Sequence, residues 1–256
     1  MANLVSGLQK VTSGGVSEVN DPKSKCQKQL SKLINRLAAG KFEGVVFQQG
    51  MLAIAICPTS APSPLPIFDS KLNLALRPFN ASSWSPRTYG ERLVTTFGPR
   101  GPIDAATEIT MDGCINAAGH DVIAIHPEFF AFAGQKAPAD LVGIPSVAYE
   151  NRIIEAVFDY IKALKTLGTK GPWYVGLGIV NVKKSVLYVD SRFAFGGRAF
   201  EGDEIIPPVV EISADITLEN PQAIARALRP FFDYIWREHG YPRSFNYAET
   251  GDWIGQ

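Results

Sequence analysis

The sequence predicts an α+β fold in which an antiparallel sheet carries two long helices packed against it. Two stretches place apolar residues at helical spacing: Val147, Ile154, Val157, Phe158, Ile161 and Leu164, then Ile224, Leu228, Phe231, Phe232 and Ile235. Short apolar or alternating runs, punctuated by Gly, Pro and an Asp-Gly turn, fill residues 44–119. The run "WYVGLGIVNV" falls between the two helices and reads as a further strand.

The totals bound the rest. At 256 residues the chain holds one large domain or two small ones, and 46% hydrophobic residues suffice for a core. Lys+Arg and Asp+Glu both number 25, so no overall field draws the chain to nucleic acid or a membrane. The longest apolar run, Val45 to Cys57, is interrupted by two Gln and a Gly and is shorter than the ~20 residues of a membrane span. "MANLVSGLQKVTSGGVSEVND" lacks the apolar core of a signal peptide, and three cysteines are an odd number for a disulfide framework. The expectation is a reduced, cytoplasmic protein with no membrane contact and no cofactor.

Residues 1–22 read as a flexible arm. Residues 23–39, "KSKCQKQLSKLINRLAA", form a predicted helix with Leu30, Leu33, Ile34 and Leu37 on one face and Gly40 as its stop. "GVVFQQ" and "MLAIAIC" suggest a hairpin around Gly50, and "KLNLAL" at 71–76 alternates like a strand. "RLVTTF", "ATEITM" and "CINAA" read as a meander after the loop "RPFNASSWSPRTYGERL", and "DVIAI" as a further short strand. Ser146 is placed as the cap of the first long helix and Gly168 as its end. "WYVGLGIVNV" and "SVLYVD" are expected to pair around Lys183 and Lys184. Asn220 and Pro221 open the last helix, Pro230 should kink or split it, and Gly240 and Pro242 end it. The organisation expected is a helix plus β-rich subdomain at 23–140 and an α/β subdomain at 141–256, joined in one continuous unit.

Candidate chemistry is sparse. Cys114, His120 and His126, with Asp112 and Glu128, have the residue types of a zinc site but none of its short spacings. The glycines of "GTKG" and "GLG" complete neither a P-loop nor a dinucleotide fingerprint, and no Gly-x-Ser-x-Gly elbow occurs. "EGDEIIPPVVEI" supplies Glu201, Asp203, Glu204 and Glu211, interrupted by prolines, and reads as a solvated acidic loop. In "SRFAFGGRAF", Arg192, Gly196, Gly197 and Arg198 sit among phenylalanines and suit an anion-receiving concavity, with Arg87, Tyr89 or Arg243 as neighbours. The helix at 23–39 presents Lys25, Lys28, Lys32 and Arg36 with no acid between Pro22 and Phe42, a possible phosphate-contacting surface.

The stretch "YIWREHGYPRSFNYAETGDW" holds a His, three acids, two Arg, three Tyr and two Trp. Most of it reads as a helix end: Phe232, Ile235 and Trp236 continue the stripe, and Arg237 and His239 suit the negative end of the dipole. Tyr247 and Trp253 are expected to pin the segment that follows.

"ALRPFFDYIWREHGYPRSFNY…GDW", together with "IPSVAYENRIIEAVFDYIKALKTLGTKGPWYVGLGIVNVKK" and "FGGRAFEGDEIIPPVVEI", resembles the C-terminal accessory region of bacterial Schlafen-type, Alba-like proteins, which are named for DNA or ATP binding. "PRTYGERLV" and "ATEITMDGCINAA" fit the middle of that region, so the resemblance spans roughly 85–256 and more loosely begins near 43. The family's N-terminal domain opens with an acidic, Lys-bearing stretch and a Gly-rich strand turn, and this sequence contains neither. The resemblance therefore implies the accessory part, for which it carries no established chemistry. The function expected is a non-catalytic binding or scaffolding module of a DNA-acting bacterial regulatory or phage-defence system, with a protein partner. The alternative is a metal-dependent hydrolase of nucleic acid or nucleotides, using His120, His126 and the acids of 201–211.

Overall fold

The computed structural model describes residues 21–67, 72–98, 101–120, 142–189 and 197–255. Its helices are α1 (Pro22–Ala38), α2 (Leu72–Ala75), α3 (Ser146–Thr166) and α4 (Gln222–Glu238). The strands are β1 (Met51–Ser60), β2 (Ser85–Tyr89), β3 (Arg92–Phe97), β4 (Ala105–Thr110), β5 (Ile115–Gly119), β6 (Val142–Pro145), β7 (Lys170–Val180), β8 (Ser185–Tyr188), β9 (Glu204–Ile205) and β10 (Val210–Ile212). The main sheet is antiparallel, ordered β10-β7-β1-β5-β4-β3-β2, with β9 also pairing β7. β6 and β8 form a small parallel pair beside it.

Residue size along the central strands decides which helix covers which face. β1 alternates Leu52, Ile54 and Ile56 with Ala53, Ala55 and Cys57, all fully buried. The large residues join α3 and α4 in one core; the small ones, with Ala106, Cys114 and Ala118, meet α1 in the other. The small face lets α1 lie close: a Cβ on Gly178 would come within 2.8 Å of Ile34 Cδ1. Because both faces are covered, the sequence here is continuously apolar and hides its period of two.

α1 starts where Asp21 accepts from the amides of Lys23 and Ser24, followed by Pro22 at the first helical position. It makes a third long helix, packed on the opposite face of the sheet from α3 and α4, where two long helices were expected to do the packing. The Asp-Gly turn of the meander is present, joining β4 to β5.

Several expectations are corrected. Residues 44–49 do not pair with β1, whose two edges are already taken by β5 and β7. Val45 makes only an isolated bridge to Ile103, and Val46 and Phe47 are 42% and 37% exposed. The alternating "KLNLAL" contains the single-turn α2, because Leu72 and Leu76 are also four apart and both face the core. β8 does not pair with β7, whose neighbours are β1, β9 and β10, and joins β6 instead. Arg87 and Tyr89, read as loop, lie on the edge strand β2.

Ser146 does not cap α3; Pro145 is the N-cap and Ser146 is the first, buried helical residue. Asn220 does serve α4, accepting from Gln222 N at 3.0 Å. α4 runs unbroken through Pro230, which sits on its exposed side, where water can satisfy the carbonyl that a proline leaves free. "DVIAI" lies outside the described residues.

Candidate functional site

The basic helix is partly neutralised by acids that come from elsewhere in the chain. Arg36 Nη1 donates to Glu108 Oε1 at 2.6 Å and its Nη2 to Glu43 Oε1 at 2.9 Å. Arg92 Nη1 reaches the same two carboxylates at 2.7 and 2.8 Å, and Asn116 Nδ2 donates to Glu108 at 2.9 Å. Two arginines thus balance two glutamates around Glu108, which is only 1% exposed. Lys25 pairs with Asp112 at 2.8 Å. Of the four residues proposed for phosphate contact, Lys28 and Lys32 remain exposed with no ion pair among the described residues.

Arg192 and Gly196 of the Gly-Gly-Arg loop lie outside the described residues. Gly197 and Arg198 are anchored at the C-terminal end of α4: Arg198 N–H donates to His239 O at 2.8 Å. A Cβ on Gly197 would approach the Tyr241 hydroxyl to 2.3 Å. The Arg198 side chain is exposed, and Arg243 follows two residues after Tyr241. Arg87 and Tyr89, with Arg87 beside the Tyr89 hydroxyl, lie on the edge strand β2. β2 is separated from β7 by four intervening strands, about 24 Å at the usual strand spacing.

No three His, Cys, Asp or Glu side chains among the described residues converge as a metal site. His120 follows β5 and bonds through its amide to Asp104 O; His126 and Glu128 lie outside the described residues. Glu204 and Glu211 sit on β9 and β10, and Glu201 and Asp203 on the exposed approach to β9.

The apparent active site around the last helix is a set of internal ties, whose centre, Glu150, sequence reading missed. Glu150 lies in the second turn of α3 and is fully buried. Its Oε1 accepts from Trp236 Nε1 and Ser244 Oγ, each at 2.8 Å, and its Oε2 from Trp253 Nε1 at 2.9 Å. Burial pushes its pKa up to about 7 against the pull of these donors. Tyr247 Oη donates to Ala225 O at 2.7 Å, and Arg226 pairs with Asp252.

A second pair was equally illegible. His239 Nδ1 lies 2.8 Å from Ile235 O, so Nδ1 carries the proton and Nε2 accepts the Ser185 hydroxyl at 3.0 Å. The arrangement has the form of a nucleophile and base, but both residues are fully buried and closed to a substrate in this conformation. Burial holds the imidazole pKa below its usual value. The partners are 54 positions apart with no motif between them.

One concavity gathers charged groups of both signs at the surface. A cleft of about 300 Å³ opens between α3 and the segment 77–80, lined by Arg77, Arg152, Asn151, Glu155, Asp159 and the Phe79 region. Arg77 is held in place, its Nε donating to Ala81 O at 2.6 Å and its carbonyl accepting from Tyr160 Oη at 2.8 Å. Asn151 Nδ2 donates to Glu155 at 3.1 Å. Burial raises the Asp159 pKa although Arg77 pulls it down. Arg152 makes no ion pair among the described residues. The signal in sequence was weak: outward positions 151, 152, 155 and 159 of a helix look like any solvated face.

Comparison with protein-family models, with curated proteins and with solved structures finds no match to this chain. Among the described residues, no helix is long and apolar enough to cross a membrane.

Proposed function

We propose that the protein is a non-catalytic binding module that receives a charged segment of a protein partner in the cleft between α3 and residues 77–80. The observation that carries this reading is the convergence of two arginines, Arg77 and Arg152, with two carboxylates, Glu155 and Asp159, in one concave site. A segment presenting an acid and a base together meets both pairs, and a volume of about 300 Å³ accommodates one or two side chains. The groups elsewhere that suggest catalysis, Glu150 and the Ser185–His239 pair, are occupied by internal partners. The resemblance to the accessory region of Schlafen-type proteins supports a partner within a DNA-acting bacterial regulatory or phage-defence assembly. The exposed Arg198 and the half-buried Arg243 are a further surface for an acidic partner.

The test is selection of short displayed peptides on the folded protein, followed by affinity measurement on Arg152→Glu and Asp159→Asn variants. The reading expects selected peptides to carry both charges and to lose about tenfold or more in affinity to each variant, as for the loss of a close interfacial charge pair. Peptides that bind the variants as tightly as the original protein contradict it.

A further inference from the structure

The three cysteines, scattered in sequence, meet beneath α1. Continuing the β1–β5 register one pair beyond Ile56↔Ile115 sets Cys57 directly opposite Cys114. Opposed residues in antiparallel strands have Cα atoms about 4.5–5.5 Å apart, inside the range of about 4.4–6.8 Å that a disulfide spans. The two Sγ atoms are 2.8 Å apart, less than 1 Å beyond the S–S bond length of about 2.0 Å. Cys26 is engaged differently, its Sγ directed to Ala55 O at 3.4 Å and Tyr174 O at 3.2 Å.

The pair is buried but not deep. Asp112 Oδ2 lies 3.6 Å from Cys114 Sγ and 2.8 Å from Lys25 Nζ. The side chains of Lys25 and Asp112 are 37% and 47% exposed, so a partly solvated ion pair lies against Cys114. Contact with Cys57, then burial, holds the Cys114 thiol above its usual range. At Cys57 the bond from Cys114 favours the thiolate, but contact with Cys26 and burial outweigh it. In the closed state both thiols are therefore protected.

We propose that Cys57 and Cys114 are an oxidisable dithiol that closes to a cross-strand disulfide when a small neutral peroxide passes the Lys25–Asp112 pair. One thiol, deprotonated on opening, attacks the peroxide oxygen, breaks the O–O bond and becomes a sulfenic acid, releasing hydroxide that takes up the thiol's proton as water. The second thiol attacks that sulfur, forms the S–S bond and expels a second water. Two thiols and one hydrogen peroxide thus give one disulfide and two waters, with two electrons passing to the peroxide. The bond would tie β1 to β5 under α1, and a thiol reductant would reverse it.

The experiment treats the folded protein with hydrogen peroxide, blocks remaining thiols with an alkylating reagent under denaturing conditions, and maps the products by mass after non-reducing digestion. The expected result is loss of two hydrogens, a Cys57–Cys114 cross-link, one alkylated thiol at Cys26, and full reversal by dithiothreitol. Asp112→Asn removes both the ion pair and the negative charge beside Cys114, and should speed the reaction about two- to fivefold, the size of a half-exposed ion pair. Cys114→Ser should form no disulfide. Three unmodified thiols after treatment, a cross-link through Cys26, or a sulfinic acid in place of the cross-link overturns the proposal. If Cys114→Ser fails to fold, the mapping on the original sequence and on Asp112→Asn decides.

Discussion

The indole N–H of Trp253 donates to Oε2 of Glu150 at 2.9 Å, joining the segment after α4 to the second turn of α3 across 103 positions. Trp236 and Ser244 take the other oxygen, so one carboxylate holds three separate parts of the chain with no ion-pair partner among the described residues. Glu150→Ala removes the only acceptor these donors share. The expected loss is about 3 kcal/mol, from two buried donors and one half-buried donor left unsatisfied, read as a lower midpoint in urea with unchanged slope. Loss below about 1 kcal/mol means the ties are incidental.

The same group makes stability depend on pH. Its folded pKa of about 7 lies above the ordinary carboxylate value of 4.5, so between these the folded state binds more protons than the unfolded. Stability from this group is therefore full below about pH 4.5 and declines as pH rises through 7, by up to about 3 kcal/mol. His239, whose pKa burial lowers, works in the opposite sense: its contribution is lost as pH falls through the ordinary histidine range. The comparison that isolates Glu150 is with Glu150→Gln, which should lose the decline between pH 5 and 8 while keeping the histidine effect.

Around Glu108 the cost lies in breaking charge balance. Glu108→Ala leaves Arg36 and Arg92 sharing Glu43 alone. Both arginines are about one-third exposed, so solvent screens part of the loss and the expected destabilisation is about 2 kcal/mol. A double-mutant cycle of Arg36→Ala with Glu108→Ala should return a coupling of about 1 kcal/mol. Strict additivity would show that the network contributes nothing as a network.

If α1 touches phosphates, few of its cations are available. With Lys25 and Arg36 paired to Asp112, Glu108 and Glu43, the contacts reduce to Lys23, Lys28 and Lys32. The logarithm of duplex-DNA affinity should then fall with the logarithm of salt at a slope no steeper than about −3. A slope near −4.5 would mean that all five cations leave their partners for DNA.

The sequence made α3, α4 and the β3–β4–β5 meander legible because each carries a clean period or a turn of fixed chemistry. It misled at residues 44–49, where an apolar run lost the competition for β1 to β5 and β7. It misled again at 71–76, where spacing of two and of four coincide. α1 looked cationic because Glu43, Glu108 and Asp112 reach it only after folding. Glu150, Ser185 with His239, and Cys57 with Cys114 were invisible for the same reason: each constellation is assembled across 50 or more positions, without a local motif. The tail was read correctly as pinned, since Tyr247 and Trp253 are large amphipathic side chains that fold down where a hydrogen bond awaits.

The most direct test of a non-catalytic module is titration of the purified protein with labelled single- and double-stranded DNA and RNA. Two salt concentrations, with and without Mg²⁺ or Mn²⁺, are read by anisotropy and by fragment length. The account predicts intact nucleic acid under every condition and, at most, weak salt-sensitive binding. Metal-dependent cleavage that is lost in His120→Ala, or in variants of the acids at 201–211, would contradict it and establish the hydrolase.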